Sequence, residues 1–209
     1  MVTKVDIGTE IKNGWELFKA NMVLLILANL VAGLLTVFTC GILLGPMMAG
    51  LYLIIQRLLK KDPVTPQIGD LFKGFSYFLN TFLYMLILVV IMGVLGVIPV
   101  IGQLVSIVLS PLLLIGIMFI VFGQLSFSDA LKKVIAELKA GGPFWMFVLV
   151  ILIANFISGA GMIAFGIGTL FTAPLAACII VGAYHTAYGD AAVAPEQAPQ
   201  ETPPAAPAE

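Results

Sequence analysis

Charged residues are scarce in this chain: only 10% of its 209 residues are Asp, Glu, Lys or Arg, while 61% are hydrophobic. Soluble domains carry about 25% charged residues, so the composition argues against an ordinary water-soluble domain and predicts a protein that lies in lipid. The net charge of -1 gives no basic surplus. We therefore expect no nucleic acid among its partners.

Cysteine and histidine are also scarce. Cys40 and Cys178 are predicted at different depths and are therefore not expected to form a disulfide. The single histidine, His185, has no carboxylate at ligand spacing, so it predicts an interfacial anchor and not a metal site. The sequence lacks a Walker-type loop, a GxSxG motif and a Cys–His pair at catalytic spacing. We expect no enzymatic activity and no cofactor.

Long apolar runs, by contrast, fill the chain. A membrane-spanning helix needs roughly 20 mainly apolar residues, and six runs approach that length, at about 22–39, 41–59, 76–97, 102–124, 144–164 and 167–188. They lack the alternating polarity of transmembrane β-strands. The sequence predicts an all-α polytopic membrane helix bundle with six transmembrane helices. For the first pair, short tilted helices or a re-entrant hairpin remain open.

Basic residues are confined to the N-terminal segment, the connection between runs 2 and 3 and the connection between runs 4 and 5. Because short loops rich in Lys and Arg stay cytoplasmic, we expect a multi-pass protein of the inner, cytoplasmic membrane with both termini in the cytoplasm. The charged lead before the first run is unlike that of a signal peptide, so we expect it to be retained. An interfacial aromatic belt is predicted at Trp15, Phe18, Tyr77, Trp145, Tyr184 and Tyr188.

A short charged phrase occurs three times, as IGTEIK (7–12), IGDLFK (68–73) and FSDALK (127–132). In each, the third residue can accept a hydrogen bond from a first-turn amide, which predicts N-caps at Thr9, Asp70 and Asp129. Two apolar runs follow each phrase, and the second run of each pair carries a proline near its start: Pro46, Pro111 or Pro174. This order predicts three tandem two-span repeats, at about 7–62, 68–125 and 127–190, although chance similarity of apolar segments is the alternative.

Each predicted repeat starts with an amphipathic helix at the membrane interface. The apolar stripe of the first is predicted at Ile7, Ile11, Trp15 and Phe18, and that of the third at Phe127, Leu131, Ile135 and Leu138. The second phrase is less regular and also fits a short cap on the third span. Two spans per unit return the chain to its starting side, so we expect parallel repeats in a pseudo-threefold bundle.

Two sets of residues are candidates for function. Cytoplasmic lysines attract anionic lipid headgroups, although plain topology and anchoring is the simpler explanation; these are Lys12, Lys19, Lys73, Lys132, Lys133 and Lys139. Polar residues in the spans predict either interhelical hydrogen bonds or a polar cavity; these are Asn29, Asn155, Gln103, Ser106 and Ser110. No Asp, Glu, Lys or Arg falls in the middle of a predicted span, which argues against an ion-coupled transporter.

Composition divides the chain into a six-span membrane domain at 1–190 and a tail at 191–209. The tail, AAVAPEQAPQETPPAAPAE, is rich in Pro, Ala and Glu and cannot bury enough apolar area to offset the entropy of ordering. We therefore expect a disordered cytoplasmic tail.

Three segments of the chain together resemble a diffuse group of uncharacterised bacterial membrane proteins with repeated two-span units. They are GWELFKAN, LGPMMAGLYLIIQRLLKKDPV and IGDLFKGFSYFLN. They are also similar to the membrane domain attached to some glycerophosphodiester phosphodiesterases. The resemblance implies a helical membrane protein and supplies no site residue. We expect a structural, accessory or lipid-interacting scaffold, whose partners are membrane lipids and an unknown membrane protein or a second copy. A passive transporter or channel for a neutral or amphipathic solute is the alternative.

Overall fold

The computed structural model describes residues 6–96, 101–141, 143–163 and 168–189. These residues form eight α-helices and one 3-10 helix, η1, with no strand among them, so the prediction of an all-α fold is confirmed. The predicted tail lies outside the described residues. The helices are α1 (Ile7–Ala20), α2 (Met22–Phe38), α3 (Leu44–Leu59), η1 (Ile68–Tyr77), α4 (Phe78–Gly96), α5 (Ile101–Phe122), α6 (Phe127–Ala140), α7 (Pro143–Ile163) and α8 (Thr169–Tyr188).

Six of these helices coincide with the six apolar runs. Within the described residues, two helical segments are long and apolar enough to cross a membrane: Ile68–Ile91, which joins η1 to α4, and Thr169–Tyr188. Up to four qualify if each of two bent helix pairs counts as one span. The 16 residues of α3 reach roughly 24 Å at 1.5 Å per residue, less than the ~30 Å hydrocarbon core. The described residues thus contain two to four candidate spans, which is compatible with a membrane protein but is not clearly the predicted six.

The first and third short helices lie across the long helices that follow them. The chain bends by 90° between α1 and α2 and by 106° between α6 and α7. Gly141, which ends α6, has a φ of 73°, a conformation that glycine adopts without a steric penalty. The second short helix, η1, instead continues into α4, so the second phrase forms a short cap on the third apolar helix.

The predicted N-caps are wrong by three residues. The N-cap residues are Asp6, Gln67 and Ser126, and Thr9, Asp70 and Asp129 occupy the third helical position. An N-cap needs non-helical backbone angles, and Asp6, Gln67 and Ser126 have extended ones. The third helical residue interacts with the side chain or amide of the cap, as in the capping box.

A carboxylate takes part in all three helix starts, and at two of them a side-chain hydroxyl donates to it. The Ser126 hydroxyl lies 2.8 Å from an Asp129 carboxylate oxygen and lowers the pKa of Asp129. The Thr9 hydroxyl donates to Asp6 at 2.6 Å and lowers its pKa in the same way. A folded-state pKa below the unfolded value stabilises the fold above the unfolded pKa, and that contribution is lost as the pH falls through the folded-state pKa. Both helix starts should therefore weaken in acid.

The most buried helices are α3, α8 and the second half of α5. Large side chains such as Tyr52, Phe119 and Tyr184 fill the space between helices and are at most 2% exposed. By contrast, α2 and α7 carry highly exposed apolar side chains, for example Phe38 at 82% and Phe156 at 81%. Such exposure is unfavourable in water and expected against lipid.

The helices pack in a regular order. α1 packs on α8, η1 on α3 and α6 on α5. The long helix after each short one contacts the same partner: α2 packs on α8, α4 on α3 and α7 on α5. Consecutive long helices also pair, as α2 with α3, α4 with α5 and α7 with α8. The first helices of the chain are thus packed against the last.

Burial changes two further expectations. Phe18 and Tyr184 of the predicted interfacial belt are core residues, at 1% and 0% exposed, while Trp15 and Trp145 are about half exposed. The buried faces of the two bent short helices are also rotated from the predicted apolar stripes, and they comprise Glu10, Gly14 and Phe18 in α1 and Ala130 and Val134 in α6. Both helices therefore press one face onto the bundle and leave part of the predicted stripe exposed.

Candidate functional site

A cavity of about 620 Å³ lies between the C-terminal end of α3, η1 and the end of α5. Its lining combines polar and charged side chains with an apolar wall. The polar and charged residues are Gln56, Arg57, Lys60, Asp62, Lys73, Ser76, Tyr77 and Gln124, and the apolar residues are Leu53, Val121 and Phe122. The volume falls in the range of small-molecule sites, about 300–1,000 Å³.

Arg57 organises one side of this cavity. It lies in the last turn of α3, where a cation interacts favourably with the helix dipole. Its Nε donates to Asp62 at 3.0 Å and one terminal nitrogen donates to Asp70 at 2.8 Å. The other terminal nitrogen donates to the carbonyl of Val64 at 3.3 Å. Arg57 thus ties the α3–η1 connection and the start of η1 to α3.

Asp70 joins this network to Lys73, which lines the cavity. Its carboxylate accepts the backbone N–H of Gln67 at 2.9 Å and is paired with the Lys73 ammonium at 3.1 Å. The Asp70 side chain is only 17% exposed, whereas that of Lys73 is 61% exposed. Paired charges that are partly shielded from water interact more strongly than surface pairs, so this cluster holds η1 in place.

The cavity carries a small positive excess. Three cations, Arg57, Lys60 and Lys73, stand against the carboxylates of Asp62 and Asp70. The bonds of Arg57 are directed at its protein partners, whereas the exposed Lys73 ammonium has three N–H donors and pairs with Asp70 through one carboxylate oxygen. The arrangement suits recognition of an anionic oxygen.

The six predicted lipid-contacting lysines occupy three different environments. Lys73 lines the cavity, and Lys12, Lys19, Lys132 and Lys139 are exposed on α1 and α6. Lys133 is half-buried, with its Nζ 4.5 Å from the centre of the Phe119 ring, a cation–π contact that packs α6 on α5. Of these six lysines, Lys73 is the one that lines the cavity described above.

The polar candidates in the long helices are not brought together by any described contact. Asn29 and Asn155 are half-buried on α2 and α7, and Ser110 is half-buried on α5. The side chains of Gln103 and Ser106 lie outside the described residues. A polar cavity shared by these five residues therefore stays a prediction.

One buried carboxylate was missed from the sequence. Glu10 on α1 is 4% exposed and accepts a hydrogen bond of 2.7 Å from the Thr186 hydroxyl of α8. In the three aligned phrases its position corresponds to Leu71 and Ala130, both 0% exposed. That alignment was the available signal, since an acidic residue stands where the other two phrases have apolar ones.

Comparisons of the chain with known protein families, with curated proteins and with solved structures find no match. Function is therefore inferred from the residues and packing of the chain itself.

Proposed function

We propose that this protein is an integral protein of the cytoplasmic membrane that acts as a lipid-interacting scaffold, with six spans arranged as three two-span repeats. The main observation in support of the repeat is the cyclic packing of the helices. Each short helix contacts the second long helix of the preceding unit, and α1 of the first unit contacts α8 of the last. A closed ring of three similar units would produce this order of contacts.

The short helices support the same repeat at residue level. They begin at aligned positions, Ile7, Ile68 and Phe127, although the exact starts of helices are sensitive to definition. The residue two places before the shared lysine is buried in all three: Glu10, Leu71 and Ala130. Similar register and burial at equivalent positions are expected of units that share a fold.

The filled interior favours a scaffold over a conduit. A conduit needs polar side chains along a common axis, but Tyr52, Phe119 and Tyr184 are at most 2% exposed on the helices that make up the described core. The exposed lysines of α1 and α6 are called the basic collar here and comprise Lys12, Lys19, Lys132 and Lys139; exposed carboxylates such as Glu16 and Asp129 lie on the same helices. Each lysine near an anionic membrane surface contributes about 1 kcal/mol of attraction.

Reconstitution into liposomes tests this function. With purified protein in vesicles of neutral and anionic lipid, we expect fluxes of small neutral solutes equal to those of protein-free vesicles. We also expect protein extracted from mixed vesicles to retain anionic lipid in preference to neutral lipid. Fluxes above the protein-free control would overturn the scaffold in favour of the passive transporter. Retention without headgroup preference would remove the lipid-interacting part of the proposal.

A further inference from the structure

We propose that the cavity between α3, η1 and α5 binds the headgroup phosphate of one anionic glycerophospholipid. This inference rests on the proposed membrane location and deepens it, because it assigns the lipid contact to a defined site. Three observations support the proposal: the positive charge excess of the cavity lining, its apolar wall and the position of η1.

The outer surface of η1 places the cavity at the level of the headgroups. Phe72 and Phe75 are 50% and 40% exposed and lie 6.2 Å apart with nearly parallel rings. The stack continues through Phe78 and Phe82 of α4. Exposed aromatic rings on a helix that also carries charge enter the boundary between acyl chains and headgroups. Lys73, Ser76 and Tyr77 of the same helix line the cavity, and they therefore lie near that boundary.

The chemistry of the lining fits a phosphate diester attached to an apolar tail. The Lys73 ammonium and the Ser76 hydroxyl can donate hydrogen bonds to phosphate oxygens. Val121 and Phe122 form an apolar wall, which suits the glycerol and the first acyl carbons. A free anion such as glycerol 3-phosphate could accept hydrogen bonds from these donors, but it has no acyl chain to pack against the apolar wall.

The third repeat supplies a matched control. Lys132 is aligned with Lys73, and it pairs with Asp129 three residues before it, as Lys73 pairs with Asp70. Lys132 is 78% exposed and lies outside the cavity. Lys73→Gln and Lys132→Gln therefore remove the same charge and the same type of ion pair, but only the first alters the cavity.

The experiment titrates the detergent-solubilised full chain with phosphatidylglycerol, using phosphatidylcholine as the neutral reference, and counts bound lipids by native mass spectrometry. We expect Lys73→Gln to weaken the first phosphatidylglycerol by about tenfold, the effect of one charge-assisted hydrogen bond. Lys132→Gln should change it by less than about twofold. Lys60→Gln, a second cavity variant, should weaken it in the same direction, and thermal unfolding checks that every variant is folded.

The possible results distinguish failure of this lipid site from failure of the proposed scaffold function. Equal losses in Lys73→Gln and Lys132→Gln would overturn the cavity while leaving a basic collar that attracts anionic lipid. No preference of the unaltered protein for phosphatidylglycerol would overturn both. Competition by glycerol 3-phosphate at concentrations similar to those of the lipid would show a site for a free anion and would overturn the lipid assignment.

Discussion

At the scale of single residues, Glu10 differs in character from the residues aligned with it in the other two charged phrases. Leu71 and Ala130 fill the corresponding buried positions with apolar side chains. Glu10 instead places a carboxylate there, which accepts a hydrogen bond from the Thr186 hydroxyl. Burying a charged group is costly unless it is hydrogen-bonded. The contact between α1 and α8 therefore depends on a polar pair that the other two contacts do not have at this position.

Thr186→Val tests that pair. The substitution leaves the buried carboxylate of Glu10 without the hydroxyl donor, and an unsatisfied buried polar group costs about 1–3 kcal/mol. We expect a lower unfolding free energy by about that amount, measured by denaturant titration in detergent micelles. Adding Glu10→Leu, which introduces the residue type found at position 71, removes the other partner and should recover most of the loss. A double variant less stable than Thr186→Val would contradict the role of the pair.

At the scale of helices, the sequence patterns predicted where each helix lies better than they predicted which helices contact one another. Apolar runs gave the positions of the six long helices because their length and composition are local properties. The apolar stripe did not identify the face of α1 that packs on α8, since Gly14 is buried through its close approach to Ile179 of α8. Such an approach depends on the partner helix and leaves no local pattern. The Arg57–Asp70 pair was missed for the same reason, as its members lie 13 residues apart.

Substitution of Gly50 tests the close contact between α3 and η1. A Cβ at Gly50 of α3 would collide with the backbone carbonyl of Leu71 in η1, and backbone cannot rotate away as a side chain does. We expect Gly50→Ala to lower the unfolding free energy by about 1–3 kcal/mol or more, the usual cost of overpacking. Gly33→Ala in α2 is the control, because nothing lies within 4 Å of its Cβ position. Equal stabilities of the two variants would show that α3 and η1 do not meet in this way.

At the scale of the whole molecule, cyclic packing joins residues far apart in sequence. The hydrogen bond between Glu10 and Thr186 spans 176 positions, and ring closure is a property of all three proposed units together. The order of short and long helices was readable from the sequence, because it repeats along the chain. Which helix would pack on which was not readable, since it depends on the direction in which successive units turn around the bundle.

Orientation in the membrane can be tested with the cysteines that the chain already has. Both are free: Cys40 is exposed in the turn after α2, at a φ of 51°, and Cys178 is buried in α8. The lysine-bearing helix α1 and the α2–α3 turn lie at opposite ends of α2. If the lysine-bearing end is cytoplasmic, as the distribution of basic residues predicts, and α2 crosses the membrane as proposed, Cys40 faces the outside of the cell.

A membrane-impermeant maleimide added to intact cells should therefore label the protein once, at Cys40. Cys40→Ser should abolish the label, and Cys178→Ser should leave it unchanged because that thiol is buried. In the Cys40→Ser background, Lys60→Cys at the end of α3 should react only after the cells are opened, since it lies at the lysine-bearing end. Labelling of Lys60→Cys in intact cells, with Cys40 reactive only after opening, would reverse the orientation and place the cavity and the basic collar outside the cell.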